Sequence, residues 1–235
     1  MPGRFILIAS SRKGTHLLTT ALARHPDIVT HDQWLSLPDF HPEKTGPEVL
    51  DLLFDHGENP VLLPLDWSVG RTRYNGLWES LRDRSVGVIH LHRRNMLRWY
   101  ISILLAKKTD RWSSFAKIPY GTTVEVDPNQ FLKEVLWDWR KERRARAFFD
   151  GHQQTHLWYE DLTADFGRWI EITQRFMGVD VVPLQPYCRK QQTEPLQKVI
   201  ANFDALAEAW HGTPLEAWLW DETCREVEPN QETTL

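Results

Sequence analysis

The sequence predicts an α/β fold of three layers, a central, mostly parallel sheet flanked by helices. Three observations predict it. Short continuous apolar runs at 5–9, 61–65 and 86–91 have the length and character of buried parallel strands. Between them apolar residues recur at helical spacing, so strands and helices alternate as in βαβ units. Twice a run passes through a short polar turn directly into a helix.

The elements follow in order. Strand 5–9 enters the turn Ser10-Ser11-Arg12-Lys13-Gly14, and from Thr15 the residues Leu17, Leu18, Ala21 and Leu22 mark a helix that His25-Pro26 stops. A helical stretch around 46–56 introduces strand 61–65, which ends at Asp66. Strand 86–91 leads through His92-Arg93-Arg94-Asn95 into a helix carrying Leu97, Ile101, Leu104 and Leu105. Residues 108–127 form a long loop with Pro119 and Gly121, of a length usually functional or disordered. A Trp- and Arg-rich helix spans 128–149, starting at Asp127-Pro128, and 155–159 is a fourth short strand. A Pro-bounded helix at about 195–210 and a polar, frayed tail at 226–235 close the chain. The expectation is one domain over 1–235 with its core at about 4–210.

Composition narrows the function. With 41% hydrophobic and 26% charged residues, the 235-residue chain is globular rather than disordered or collagenous. No apolar run approaches the ~18 residues of a membrane span, so a soluble protein is expected. Only Pro2-Gly3-Arg4 precedes the first apolar run and no small-residue cleavage pattern follows it, so no secretory signal is expected. Cys188 and Cys224 make neither a disulfide framework nor a metal spacing, which suits a reducing, cytoplasmic setting. A net charge of −4 argues against nucleic-acid binding and confines any anion site to a local basic cluster. The ten histidines form no metal constellation, and His90 and His92 read as structural or loop-facing. The 12 tryptophans read first as core and interface packing, with a sugar- or lipid-facing cleft as the alternative. Oligomeric state is left open.

A helix N-terminus presents unpaired backbone N–H groups and a positive dipole end, so a strand–turn–helix with glycine and basic residues is built for a phosphate-like anion. Residues 10–16 fit that description. The residues alone allow either an anion site or an ordinary βα turn with solvated Arg and Lys. The turn is not a Walker A sequence, because Thr15-His16 rather than Lys followed by Ser or Thr comes after Gly14. The run Arg140-Lys141-Glu142-Arg143-Arg144-Ala145-Arg146 reads as a solvated helix face, an anionic acceptor site being the lesser reading.

Four blocks together resemble the PAPS-dependent sulfotransferases of bacterial and carbohydrate type, a P-loop-like fold. Residues 5–18, followed by Ala21-Leu22 and His25-Pro26-Asp27-Ile28, are similar to that family's 5′-phosphosulfate loop, P-[RK]-S-G-T-T-x-L. Arg12 stands at the [RK] position and Lys13, Gly14, Thr15 and His16 at S-G-T-T; Ser11, Lys13 and His16 depart from the pattern. Residues 88–102 resemble the 3′-phosphate block, in which Arg and Ser stand eight apart, here Arg94 and Ser102. Arginine suits a phosphate through its bidentate fork. The segment from Trp158 to Leu162, with Phe176-Met177-Gly178 beyond, resembles the YEDL segment, which implies that Tyr159 lies near the adenine. Glu160 and Asp161 read as a cap and loop anchor. Arg189-Lys190 resembles the C-terminal basic loop, either residue closing over the 3′-phosphate.

The resemblance implies sulfuryl transfer from 3′-phosphoadenosine 5′-phosphosulfate (PAPS) to a hydroxyl of a carbohydrate, glycolipid or small molecule, without a metal, leaving adenosine 3′,5′-bisphosphate. The cofactor set is then Ser11, Arg12, Lys13, Gly14, Thr15, His16, Arg94, Ser102, Tyr159, Arg189 and Lys190. Arg12 and Lys13 are candidates to stabilise the leaving group. Gln33 falls where related enzymes carry a basic Glu, so Asp32 and Asp66 are the two candidate general bases, with His31 and His16 behind them. A non-catalytic nucleotide- or glycan-binding module and an atypical ATP- and Mg²⁺-dependent nucleotide kinase are the alternatives. Acceptor choice is expected from loops 31–45, 66–75 and 108–127.

Overall fold

A computed structural model describes residues 3–31, 40–67, 74–112, 117–188 and 194–220. The chain divides into two compact units, Met1–His92 with Trp137–Arg189, and Arg93–Leu136 with Lys190–Leu235.

The first unit holds a five-stranded sheet in which every paired strand is parallel, in the order β2-β3-β1-β4-β5. Its strands are β1 (Arg4–Ile8), β2 (Val29–Thr30), β3 (Val61–Leu65), β4 (Gly87–His92) and β5 (Gln154–Trp158). Parallel strands need crossover helices, and helices on both faces bury β3, β4 and β1 beyond Arg4, leaving the edge strands β2 and β5 partly exposed. Side-chain alternation assigns each residue to a face. Ile6, Ile8, Val61, Leu63, Leu65 and Val88 enter one core with α2 (Gly46–Phe54), α3 (Leu77–Asp83) and the end of α5 (Pro128–Phe148). Phe5, Leu7, Ala9, Leu62, Ile89 and Leu91 enter the other with α1 (Thr15–Leu22), α6 (Tyr159–Ala164) and α7 (Phe166–Met177). The three-layer reading is therefore met.

The second unit contains α4 (Met96–Thr109), the first part of α5, α8 (Leu196–Val199), α9 (Phe203–Trp210) and α10 (Glu216–Leu219). Asn95 caps α4 by accepting the Arg98 N–H at 2.9 Å, and its amide donates to the Trp218 carbonyl at 3.0 Å. Tyr100, Phe131, Trp210 and Trp218 form an aromatic cluster there. Trp67, Trp78, Trp99, Trp210 and Trp218 are all buried, as the packing reading expects, whereas Trp112, Trp137 and Trp220 are exposed.

Three elements differ from the sequence reading. The helix expected at about 195–210 is broken between α8 and α9, because Ile200 pairs with Val124 as a parallel bridge and the Asn202 amide clamps both backbone groups of Val126. Those bonds pull Ile200 into extended backbone, φ −92° and ψ 115°. Strand β2 and helix α3 were not read from the sequence, the first being only two residues long.

Candidate functional site

From β1 the chain crosses to β2 on one side of the sheet, and from β4 to β5 on the other, so the order reverses between β1 and β4. In open α/β sheets ligands bind beyond the carboxyl ends of the strands at such a point. Here that place holds the turn 10–16 and a cleft lined by Ala9, Ser10, Trp67, His90, His92, Lys141 and Glu142, among others.

The turn is shaped by two left-handed residues, Arg12 at φ 69° and Gly14 at φ 103°. Gly14 is the N-cap of α1 and supplies no side chain to cap it, so the first N–H groups of that helix are left to another partner. The Thr15 hydroxyl is buried and has no hydrogen-bond partner among the described residues. A buried, unsatisfied hydroxyl costs about 1–3 kcal/mol unless something pairs with it. An uncapped helix start and an orphan hydroxyl together fit an oxyanion.

The ring of Tyr159, at the start of α6, packs against this turn: a Cβ added at Gly14 would meet its Cδ2 at 2.5 Å. Gly14→Ala therefore strains a positive φ and displaces the ring, and is expected to cost about 1–3 kcal/mol. Thermal unfolding should show a midpoint lower by about 2–8 °C; a shift under about 1 °C would mean the turn accepts a Cβ.

Helix α5 contributes the charges. Asp138, Lys141 and Glu142 stand at i, i+3 and i+4, hence on one face. Lys13 donates to both Asp138 and Glu142, and Ser10 Oγ donates to Asp138. The side chains of Lys13 and Asp138 are each only 1% exposed. Burial pushes the Lys13 ammonium down, but the facing carboxylates Glu142 and Asp138 more than offset that and hold it above its ordinary value. Lys13 is thus enclosed by acids rather than open to a ligand, a departure from its expected place at a sulfuryl group. Arg12 remains half-buried at the turn.

Glu142 also faces His92, with Nδ1 3.1 Å from Oε2, and His92 Nε2 lies 2.9 Å from His156 Nδ1. His90 Nε2 bonds Gln154 Oε1 at 2.7 Å, and the three imidazoles stack, with His90 and His156 centroids 4.8 Å apart. Burial pushes His90 down to about 4. These histidines are structural neighbours of the cleft, which their sequence spacing alone did not reveal.

Asp66 stands at the end of β3, 20% exposed, with Oδ1 3.7 Å from the Lys141 ammonium. Ser102 sits within α4, its hydroxyl donating to the Trp99 carbonyl at 2.7 Å, and Arg94 precedes that helix, half-buried. His31 is buried and its Nε2 bonds the Leu53 carbonyl at 2.7 Å. Asp32, Gln33, Arg189 and Lys190 lie outside the described residues, as does most of the acceptor-loop segment 66–75. The turn, Asp66 and Tyr159 are placed within the first unit, Arg94 and Ser102 within the second. Sequence reasoning missed Asp138 and read Lys141 and Glu142 as part of a solvated face, whereas both turn inward.

No family model matches the chain. It is 24% identical over 222 residues to nodulation protein H of Rhizobium meliloti (strain 1021), covering 87% of this chain and 90% of that one. It is 23% identical over 230 residues to nodulation protein H of Rhizobium tropici, covering 91% of each. Among solved structures it superposes on a sulfotransferase from Alicyclobacillus acidocaldarius with a TM-score of 0.51 and 21% identity, covering 95% of this chain and 98% of the other. The fold is that of a sulfotransferase, as the sequence resemblance implies. No helix among the described residues is long and apolar enough to cross a membrane.

Proposed function

We propose that the protein is a cytoplasmic sulfotransferase that moves the sulfuryl group of PAPS to a hydroxyl of a carbohydrate, glycolipid or small-molecule acceptor. The observation that carries this is the uncapped start of α1 with the buried, unpaired Thr15 hydroxyl beside it, set where the sheet order reverses. The relatives of similar length and the sulfotransferase fold support it. The two nodulation proteins concern the acceptor only by analogy, so the acceptor class rests on the sequence resemblance.

The residues present fit the cofactor. Backbone N–H groups of the turn from Ser11 to His16 take the 5′-phosphate, with Arg12 and the Thr15 hydroxyl, and Tyr159 offers its ring to the adenine. The family resemblance implies that Arg94 and Ser102, with Arg189 or Lys190, would hold the 3′-phosphate. When bound, PAPS supplies an activated sulfuryl group whose in-line transfer passes through a loose transition state, so positioning and charge account for most of the rate. Asp66, at the carboxyl end of β3, takes the proton of the acceptor hydroxyl. Lys13, enclosed by Asp138 and Glu142, holds the turn to α5 and keeps it in shape.

Calorimetric titration with adenosine 3′,5′-bisphosphate beside ATP tests the reading. The bisphosphate should bind and ATP should bind at least about tenfold more weakly. Arg94→Ala should weaken the bisphosphate about 10- to 100-fold, the worth of a charge-assisted bidentate pair. No binding, or a preference for ATP, overturns the assignment. Labelled sulfuryl transfer from PAPS then separates an enzyme from a module that binds without turnover.

A further inference from the structure

The basic run on α5 divides into two kinds of residue. Arg140, Arg143, Arg144 and Arg146 are exposed, as a solvated face requires. Lys141 is turned inward, with 15% of its side chain exposed. Its ammonium donates to Ser10 Oγ at 2.9 Å and lies 3.7 Å from Asp66 Oδ1 and 3.7 Å from Asp138 Oδ1. The two acids differ in kind: Asp138 is sealed and engaged by Ser10 and Lys13, whereas Asp66 keeps 20% of its side chain exposed at the end of β3. One ammonium therefore links α5, the turn after β1 and the end of β3.

We infer that Lys141 is a positioning residue of the transfer site, holding the Asp66 carboxylate and the Ser10 end of the anion turn in fixed register. The inference rests on the sulfotransferase reading, with Asp66 as base. In that step the acceptor O–H proton goes to Asp66 as the acceptor oxygen bonds to sulfur. The bond from sulfur to the 5′-phosphate oxygen breaks, and its electron pair leaves with the bisphosphate. Asp66 loses its negative charge as it takes the proton, while Lys141 keeps Asp138 beside it. Lys13 cannot replace it, because two carboxylates enclose it away from the cleft. A residue of equal length without the charge removes the hold on Asp66, and a misplaced base costs about a hundredfold in rate.

The test compares wild type, Lys141→Met, Lys141→Arg, Asp66→Asn and the double variant Asp66→Asn/Lys141→Met, read as kcat, KM and bisphosphate affinity. Lys141→Met should lower kcat about 30- to 100-fold with bisphosphate affinity within about threefold of wild type. Lys141→Arg should return kcat to within about fivefold, and the double variant should be no slower than Asp66→Asn alone, since both act through one carboxylate. A Lys141→Met kcat within about threefold of wild type overturns the inference, as does a double variant whose loss is the product of the two single losses. Should wild type neither bind the bisphosphate nor transfer sulfuryl, the sulfotransferase reading falls instead. Urea unfolding of the same proteins then judges the pairing: unfolding constants that depart by about threefold or more from independence support it, and independent ones overturn it.

Discussion

Asp138→Ala is expected to cost about 3–5 kcal/mol of folding stability, a large share of the roughly 5–15 kcal/mol that holds a typical domain. The reason is what it leaves behind. Lys13 and Asp138 are both sealed from water, and removing the aspartate takes one of two carboxylates from a buried ammonium and the acceptor from the Ser10 hydroxyl. Lys13→Met should cost a similar amount from the other side, by leaving two carboxylates facing each other without their cation. Urea denaturation measures both, and a loss under about 1 kcal/mol in each would show that the cluster is open to solvent. Removing both partners, as Lys13→Met/Asp138→Leu, should cost less than the sum, because hydrophobic replacement of a buried pair is often close to neutral.

The same cluster makes the fold acid-sensitive in two stages. Burial pushes His90 down to about 4, so between its ordinary value of 6.5 and about 4 the unfolded chain takes a proton that the native one refuses, and stability falls as pH falls through that window. Burial would push the Glu142 carboxyl up, but Lys13 and then His92 more than offset it and hold it down at about 2. Its contribution is complete above its ordinary value of 4.5 and is lost as pH drops from there through about 2. Both effects have one sign, so the urea midpoint should fall continuously below about pH 6.5.

Much of this architecture is legible in the residues. Strands β1 beyond Arg4 and β3 are apolar runs, and β4 is broken only by its histidines, because both faces of a parallel strand are buried. The turn at 10–16 announces itself by its glycine and its position between strand and helix. The charges supplied by α5 are different. Asp138, Lys141 and Glu142 lie in a stretch whose other charged members, Arg140, Arg143, Arg144 and Arg146, are solvated, and local sequence does not say that Ser10 and Lys13 face them across 125 or more residues. The i, i+3, i+4 spacing was the available signal, since buried Val135 and Ala145 share that helix and mark an inward face. The break at 200–202 is equally non-local: it depends on a backbone bridge to Val124, not on any breaker in its own stretch.

Asp66→Asn should lower kcat by about 10²- to 10⁴-fold while adenosine 3′,5′-bisphosphate binds as it does to wild type. The substitution keeps the shape and removes the proton acceptor, so its effect isolates base catalysis from packing. Two observations favour this carboxylate. It follows β3, the strand paired with β1, so it stands at the carboxyl edge beside the anion turn. It also keeps 20% of its side chain exposed, whereas Asp138 is sealed and Glu142 is engaged by Lys13 and His92. A base must reach an incoming hydroxyl, and Asp66 is far more exposed than Asp138 and less closely engaged than Glu142, which pairs with both Lys13 and His92. Steady-state kinetics with Asp32→Asn in parallel divides the two sequence candidates. A kcat within about threefold of wild type for Asp66→Asn, with a large loss for Asp32→Asn, would move the base to the segment after β2 and leave Asp66 as a partner of Lys141 alone. A large loss for Asp66→Asn with Asp32→Asn near wild type fixes the proton's destination at the end of β3. That in turn places the acceptor hydroxyl over the carboxyl edge of the sheet, beside the turn proposed to hold the leaving phosphate, the arrangement in-line transfer requires.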